Sequence, residues 1–279
     1  MSSNSMKTVE GNIPSADGCR LHYRFTPPPR GAHVLLLIHG FGEHCGRYDE
    51  VVEKAHANGF GVLRFDLRGH GQSEGRRGHI YSFGEYVDDA RAAYSQLLEL
   101  QPDAQCSLMA HSYGGLVAAH LIPEIDLRAA VLSSPFMGFS IKVPFWKRTL
   151  GQLMSRYVPA FSMPTAIDPK IVSHDPKTIS EYASDPLIGR VATARWLTET
   201  EAAHKTALEN AGAIRCPLLL QQSGDDRLVD SAAGGHFFDR VGAAIKDRIV
   251  YEDAFHEIWF EVERNAILDQ TFAFLLKHS

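Results

Sequence analysis

The sequence is first defined by what it does not contain. No stretch of its 279 residues approaches 18 uninterrupted apolar positions, so nothing reads as a membrane-spanning helix. The first ten residues hold no apolar run behind basic residues, and no secretory signal is expected. Cysteine is scarce: Cys19, Cys45, Cys106 and Cys216 are scattered without C-x-x-C spacing, which predicts reduced thiols and a cytoplasmic location. Neither charge sign dominates. The 28 Lys and Arg against 33 Asp and Glu leave a net charge of -5, which offers no electrostatic case for a nucleic-acid partner. Histidine is plentiful at 14, but the pairs His39/His44 and His70/His79 lack helical i, i+4 spacing with an acidic partner, so no metal is expected.

Hydrophobic content of 44% and charged content of 22% suit a globular domain. Apolar runs alternate with helix-like segments. Val34–Ile38 is continuous and apolar, as a central parallel strand covered on both faces should be. A helix is expected over Gly46–Asn58, then a strand from Gly61 to Asp66. Phe83, Tyr86, Val87, Ala90, Tyr94, Leu97 and Leu98 follow helical spacing. Further strands read at Cys106–Ala110, Ala129–Ser133, Pro217–Gln221 and Arg248–Glu252, and a closing helix runs from about Ile258 to Lys277. This rhythm predicts an α/β fold: a mostly parallel sheet of about eight strands with helices on both faces. Residues 137–213 break the rhythm with six prolines and helix-like pieces. They are expected to form a helical cap inserted between core segments 1–136 and 214–279.

Two serines compete as nucleophile. Gly71-Gln-Ser73-Glu-Gly75 matches G-x-S-x-G letter for letter, whereas Ala110-His-Ser112-Tyr-Gly114 misses the first glycine. The motif is a sharp turn joining a buried strand directly to a helix. Ser112 follows an apolar strand and precedes an apolar helix that ends at Pro123. Ser73 lies seven residues past its strand, ahead of a glycine-rich, charged stretch. Context therefore selects Ser112, and Ser73 reads as a loop serine bonded to local backbone.

A serine hydroxyl needs a histidine to take its proton and a carboxylate to orient that histidine. Catalytic groups in such sheets sit at the carboxyl ends of strands. Asp225 and Asp226 follow one strand. His256 follows the next and is the candidate general base. Asp66 also ends a strand but precedes the serine, the wrong order for α/β-hydrolases, and is read as shaping its loop. The backbone N–H groups of Tyr113 and Phe41 are the candidate oxyanion donors, Phe41 lying in the glycine-flanked loop His39-Gly-Phe-Gly42.

These residues resemble a known group. His39-Gly-Phe-Gly-Glu-His-Cys-Gly-Arg-Tyr48, Asp66-Leu-Arg-Gly-His-Gly-Gln-Ser73-Glu-Gly, Ala110-His-Ser-Tyr-Gly-Gly115, Asp226-Arg-Leu-Val-Asp230 and Tyr251-Glu-Asp-Ala-Phe-His256-Glu are similar to motifs of the monoacylglycerol lipase and lysophospholipase branch of the α/β-hydrolase superfamily. Ala110 and Tyr113 depart from its commoner GHSMGG. The resemblance selects Asp226 over Asp225 and implies a catalytic set of Ser112, Asp226 and His256. It implies hydrolysis of monoacylglycerols or similar acyl esters through an acyl-enzyme, with no cofactor and a small-molecule or lipid ester as partner. The rival expectations are a general carboxylesterase without a lipid role, a hydrolase of another bond type, and a non-catalytic fold used for binding. Within the cap, Phe145–Val158 has apolar residues at 146, 150, 153, 154 and 157. This is expected to be either a helix packed on the core or one that docks transiently on lipid surfaces.

Overall fold

The computed structural model describes residues 7–29, 31, 33–140, 145–165 and 167–278, with the side chains of residues 145–148 set aside. The readings placed on Met1–Met6, Pro144 and the side chains of Trp146, Lys147 and Arg148 lie outside the described residues.

Strands β1 (Val9–Pro14), β2 (Arg20–Thr26), β3 (His33–Ile38), β4 (Gly61–Phe65), β5 (Gln105–His111) and β6 (Ala130–Ser133) come before the insertion. Helices α1 (Asp49–Ala57), α2 (Gly84–Leu100) and α3 (Tyr113–Leu121) connect them. The insertion carries α4 (Phe145–Tyr157), β7 (Ser162–Pro164), α5 (Pro176–Ser184), β8 (Val191–Thr193) and α6 (Ala194–Asn210). After it come β9 (Leu218–Ser223), α7 (Ser231–Arg240), β10 (Lys246–Tyr251) and α8 (Arg264–His278). Eight strands form one sheet in the order β1-β2-β4-β3-β5-β6-β9-β10. β1 and β2 pair antiparallel, as do β2 and β4, and every later neighbour is parallel. The expected mostly parallel α/β architecture is the one observed.

The period-2 geometry of a strand explains why β3 is apolar throughout. Val34, Leu36 and Ile38 point into a core shared with α2, α3 and α7. Leu35 and Leu37 point into a second core beneath α1 and α8. A central strand has no wet face, so a polar residue at any of these positions would be buried without a partner.

Four elements differ from expectation. The β1–β2 hairpin has a largely exposed outer strand, so it carries little apolar periodicity. The insertion holds an antiparallel ribbon, β7 against β8, whose three-residue strands are too short to show a period. The closing helix is interrupted: a 3-10 turn covers Ile258–Phe260 and α8 begins only at Arg264. Between them the buried Glu261 carboxylate accepts from Phe255 N at 2.8 Å and His174 N at 2.9 Å. Phe260 O accepts from the Ser173 and Thr178 hydroxyls. The backbone groups freed at the break thus tie the His256 loop to the insertion. The expected helix from Gly46 likewise opens as a 3-10 turn, Cys45–Tyr48, before α1.

The insertion leaves the sheet at the carboxyl end of β6 and returns at β9. It meets the β3 loop directly: Gly189 N donates to Gly42 O at 2.6 Å, and His44 Nε2 lies 2.8 Å from Asp185 Oδ2.

Candidate active site

The turn between β5 and α3 holds Ser112 at φ 52°, ψ -117°, a conformation that costs a non-glycine residue roughly 1–3 kcal/mol. Backbone bonds hold it there: Ser112 N donates to Ser133 O, and Phe136 N and Gly115 N donate to Ser112 O, all at 2.9 Å. A Cβ on Gly114 would lie 2.4 Å from Ile38 O and 2.5 Å from His39 O, because α3 starts against the end of β3. A Cβ on Gly115 would lie 2.6 Å from Pro135 Cβ. Ala110 is fully buried in β5 and its methyl is accommodated. The small residues this turn requires are those after the serine.

Three expected residues from three strand ends meet here. Ser112 Oγ lies 2.8 Å from His256 Nε2, and His256 Nδ1 lies 2.7 Å from Asp226 Oδ2. The other Asp226 oxygen accepts Leu228 N and Val229 N, each at 2.9 Å. Burial works against charge on Asp226, but His256 and those two amides outweigh it and keep its pKa below the ordinary carboxylate value. Burial also works against protonation of His256, but Asp226, with Glu257 and Glu43 beyond it, raises its pKa above that of a free imidazole. The neighbouring His111 ring is 5.0 Å from that of His256. Burial, and then the charge of His256, lower its pKa to about 3, so it stays neutral. This geometry permits proton transfer from a hydroxyl to a buried, acid-backed imidazole.

The competing residues fall elsewhere. Asp225 is half exposed and pairs with Arg227 at 2.7 Å. Ser73 Oγ accepts from His22 N at 2.9 Å and donates to Asp66 O at 2.5 Å. The Asp66 carboxylate accepts Cys45 N and Gln72 N. Both hold the loop after β4. Phe41 and Tyr113 flank the serine with ring centroids 5.6 Å apart. The backbone of the β3 loop comes close to the serine, since a Cβ on Gly40 would lie 3.1 Å from Ser112 Cβ.

A cavity of about 320 Å³ opens beside Ser112. Phe41, Phe136, Phe139, Ile167, Val172 and Trp196 give it an apolar wall drawn from both core and insertion. Among the described residues, one group brings three metal-ligand atom types within 4.8 Å: His22, Cys45 and Asp66. Both Asp66 oxygens there already accept backbone N–H groups, and burial holds the Cys45 thiol well above its ordinary pKa. The group is a packed knot under the loop, and it holds no thiolate ready for a metal.

Sequence reasoning missed one set of residues beside this site. Glu43, Arg47 and Glu257 form a buried ion-pair network. The first two lie in the His39–Tyr48 motif, so the motif drew attention to the segment without revealing the long-range partner.

Fold and strand-end geometry define the class: an α/β-hydrolase of the serine ester hydrolase kind. The chain belongs to the Hydrolase_4 family, described as serine aminopeptidase, S33, which it matches over residues 29–263. It is 30% identical to the phospholipase YtpA of Bacillus subtilis over 88% of this chain and 95% of that one. It is 28% identical to a monoacylglycerol lipase of Mycolicibacterium smegmatis over 96% and 97%. Among solved structures, the monoacylglycerol lipase of Paleococcus ferrophilus superposes with a TM-score of 0.81 at 26% identity, covering 98% of this chain and 100% of the other. The matched region makes up only 27% of a Dictyostelium discoideum abhydrolase domain-containing protein. This chain is a carboxylic ester hydrolase of the monoacylglycerol lipase type.

Proposed function

We propose that this protein cleaves monoacylglycerols and similar single-chain acyl esters through an acyl-enzyme on Ser112. The observation that carries the reading is the 2.8 Å approach of Ser112 Oγ to His256 Nε2 beside an apolar cavity. His256 removes the hydroxyl proton as Oγ attacks the ester carbonyl. Asp226 stabilises the imidazolium, and the Phe41 and Tyr113 N–H groups receive the oxyanion. Collapse of the tetrahedral intermediate expels the alcohol, which takes the proton from His256. Water then repeats the sequence in reverse and releases the acid. No step calls for a cofactor.

In this reading residues 137–213 are the cap, set between core segments 1–136 and 214–279. The apolar wall it shares with the core favours a fatty acyl chain, and the relatives' names, a phospholipase and a monoacylglycerol lipase, point to lipid esters. The protein acts in the cytoplasm and touches lipid surfaces transiently through the cap. Leu150, Leu153, Tyr157, Val158, Phe161 and Met163 are exposed there together, more apolar surface than scattered single residues present. Among the described residues no helix is long and apolar enough to cross a membrane.

The test is a panel of p-nitrophenyl esters of increasing chain length alongside monoacylglycerols. Turnover should rise through octanoyl and longer chains. No turnover at octanoyl and beyond would leave a short-chain carboxylesterase. A fluorophosphonate probe should label the wild type and not Ser112→Ala. Failure to label either would leave a binding protein.

A further inference from the structure

The His39–Tyr48 segment holds more charge than the oxyanion loop itself needs. Glu43 Oε1 accepts Gly40 N at 2.5 Å and the Tyr48 hydroxyl at 2.8 Å. Its Oε2 accepts Arg47 Nη1 at 2.8 Å. The same guanidinium grips both oxygens of Glu257, at 2.8 and 2.7 Å, and stacks over the Phe260 ring at 4.8 Å. The Arg47, Glu43 and Glu257 side chains are 8%, 3% and 5% exposed. Two buried carboxylates and one guanidinium are a costly arrangement, and apolar packing of equal volume would serve stability at least as well. Their placement gives the reason. Gly40 and Phe41 form the loop that reaches the nucleophile, and Glu257 is the chain neighbour of His256. The network is the direct polar link between the two loops that must act together.

Resting on the reading of Ser112 as nucleophile, we propose that Glu43 and Arg47 are positioning residues for the hydrolysis. Glu43 fixes the Gly40 peptide, and with it the direction of the Phe41 N–H. Arg47, bonded to Glu43 and Glu257 at once, locks that loop to the loop carrying His256. The oxyanion donor and the general base are thereby held in one register. Arginine suits this place because its planar fork binds two carboxylates simultaneously, which a lysine ammonium cannot reproduce in geometry. Glu43 and Glu257 border the cavity, but their oxygens are taken up by Gly40 N, the Tyr48 hydroxyl and Arg47, so loss of the network should fall mainly on the transition state.

The experiment compares Glu43→Ala, Glu43→Gln and Arg47→Lys with wild type, using a p-nitrophenyl ester and an alkyl boronic acid that forms a tetrahedral adduct on the serine. Thermal melts report folding. Glu43→Ala should lower kcat at least about tenfold with KM within about twofold, and weaken the boronic acid by a similar factor. Glu43→Gln, which can still accept the Gly40 N–H, should restore most of both. Arg47→Lys should fall between them. Wild-type kcat and boronate affinity in Glu43→Ala would overturn the proposal. So would a loss confined to KM, or no recovery in Glu43→Gln. If Glu43→Ala does not fold, Arg47→Lys decides on the same two readouts: wild-type values overturn the proposal. Ser112→Ala is run in parallel. If it stays active the nucleophile assignment falls, whereas an inactive Ser112→Ala beside fully active network variants sinks only the positioning role.

Discussion

Tyr113 Oη lies 3.0 Å from Thr200 Oγ1, joining the helix that follows Ser112 to α6 of the insertion. Both residues are fully buried. The Tyr113 ring also packs on Trp196 at 5.3 Å and Tyr86 at 5.4 Å between centroids. The position where Tyr113 departs from the commoner GHSMGG is thus where the core grips the insertion. Tyr113→Phe keeps the ring and strands the Thr200 hydroxyl. The expected cost is about 1–3 kcal/mol, seen as a lowered thermal midpoint. Tyr113→Phe with Thr200→Val should regain part of it, because two apolar groups leave no orphan. A single mutant as stable as wild type would show that the bond contributes nothing.

Gly114→Ala should be far more damaging than Ala110→Gly. The added methyl at Gly114 would meet the backbone carbonyls of Ile38 and His39, at the end of β3, at 2.4 and 2.5 Å. Backbone cannot rotate aside as a side chain can, so the β3–α3 contact must open. The expected loss exceeds about 3 kcal/mol, read from denaturant melts, and activity should fall with it. Ala110→Gly only removes a buried methyl, at a cost of about 1 kcal/mol. Equal stability of the two variants would contradict this account of the turn.

The activity should be lost on the acid side, as His256 becomes protonated. A protonated imidazole cannot accept the Ser112 proton, so kcat/KM rises with pH through the His256 pKa of the free enzyme. That pKa lies above the ordinary value near 6.5, because Asp226, Glu257 and Glu43 outweigh burial, while His111 stays neutral. Asp226→Asn should move the acid limb to lower pH and cut kcat on the order of 10³–10⁴-fold. An acid limb that stays in place in Asp226→Asn would break the link between these two residues.

Much of this was legible because the sheet is parallel and buried. A strand covered on both faces is a continuous apolar run, and the residue after it points to the active edge. That is how Ser112 and the pair Asp225/Asp226 could be read without coordinates, and why the literal match at Ser73, seven residues beyond its strand, could be set aside; His256, past the half-exposed edge strand β10, was reached through its place between Asp226 and the final helix. The ribbon β7–β8 and the edge strand β1 were not legible, since short or edge strands have no period that tertiary context does not supply. The Glu43–Arg47–Glu257 network was not legible either. Arg47 and Glu257 are 210 residues apart, and no local pattern marks which of 33 acidic residues an arginine will meet.

Ser73 and Ser112 make the sharpest paired test. Ser73 Oγ bridges His22 N and Asp66 O and so closes the β4 loop onto β2. Ser73→Ala loses both bonds and should lower stability by about 1–2 kcal/mol, with most turnover kept, because the loop is also held by Gln72 N and Cys45 N on Asp66. Ser112→Ala removes the only oxygen within 2.8 Å of His256 Nε2 among the described contacts. It should cut kcat by at least about 10⁴-fold and leave the melting temperature near wild type, since the backbone bonds to Ser133, Phe136 and Gly115 survive. Steady-state kinetics and thermal melts on the two variants separate the roles. A dead Ser73→Ala that is fully folded, beside an active Ser112→Ala, would move the reaction to the other loop.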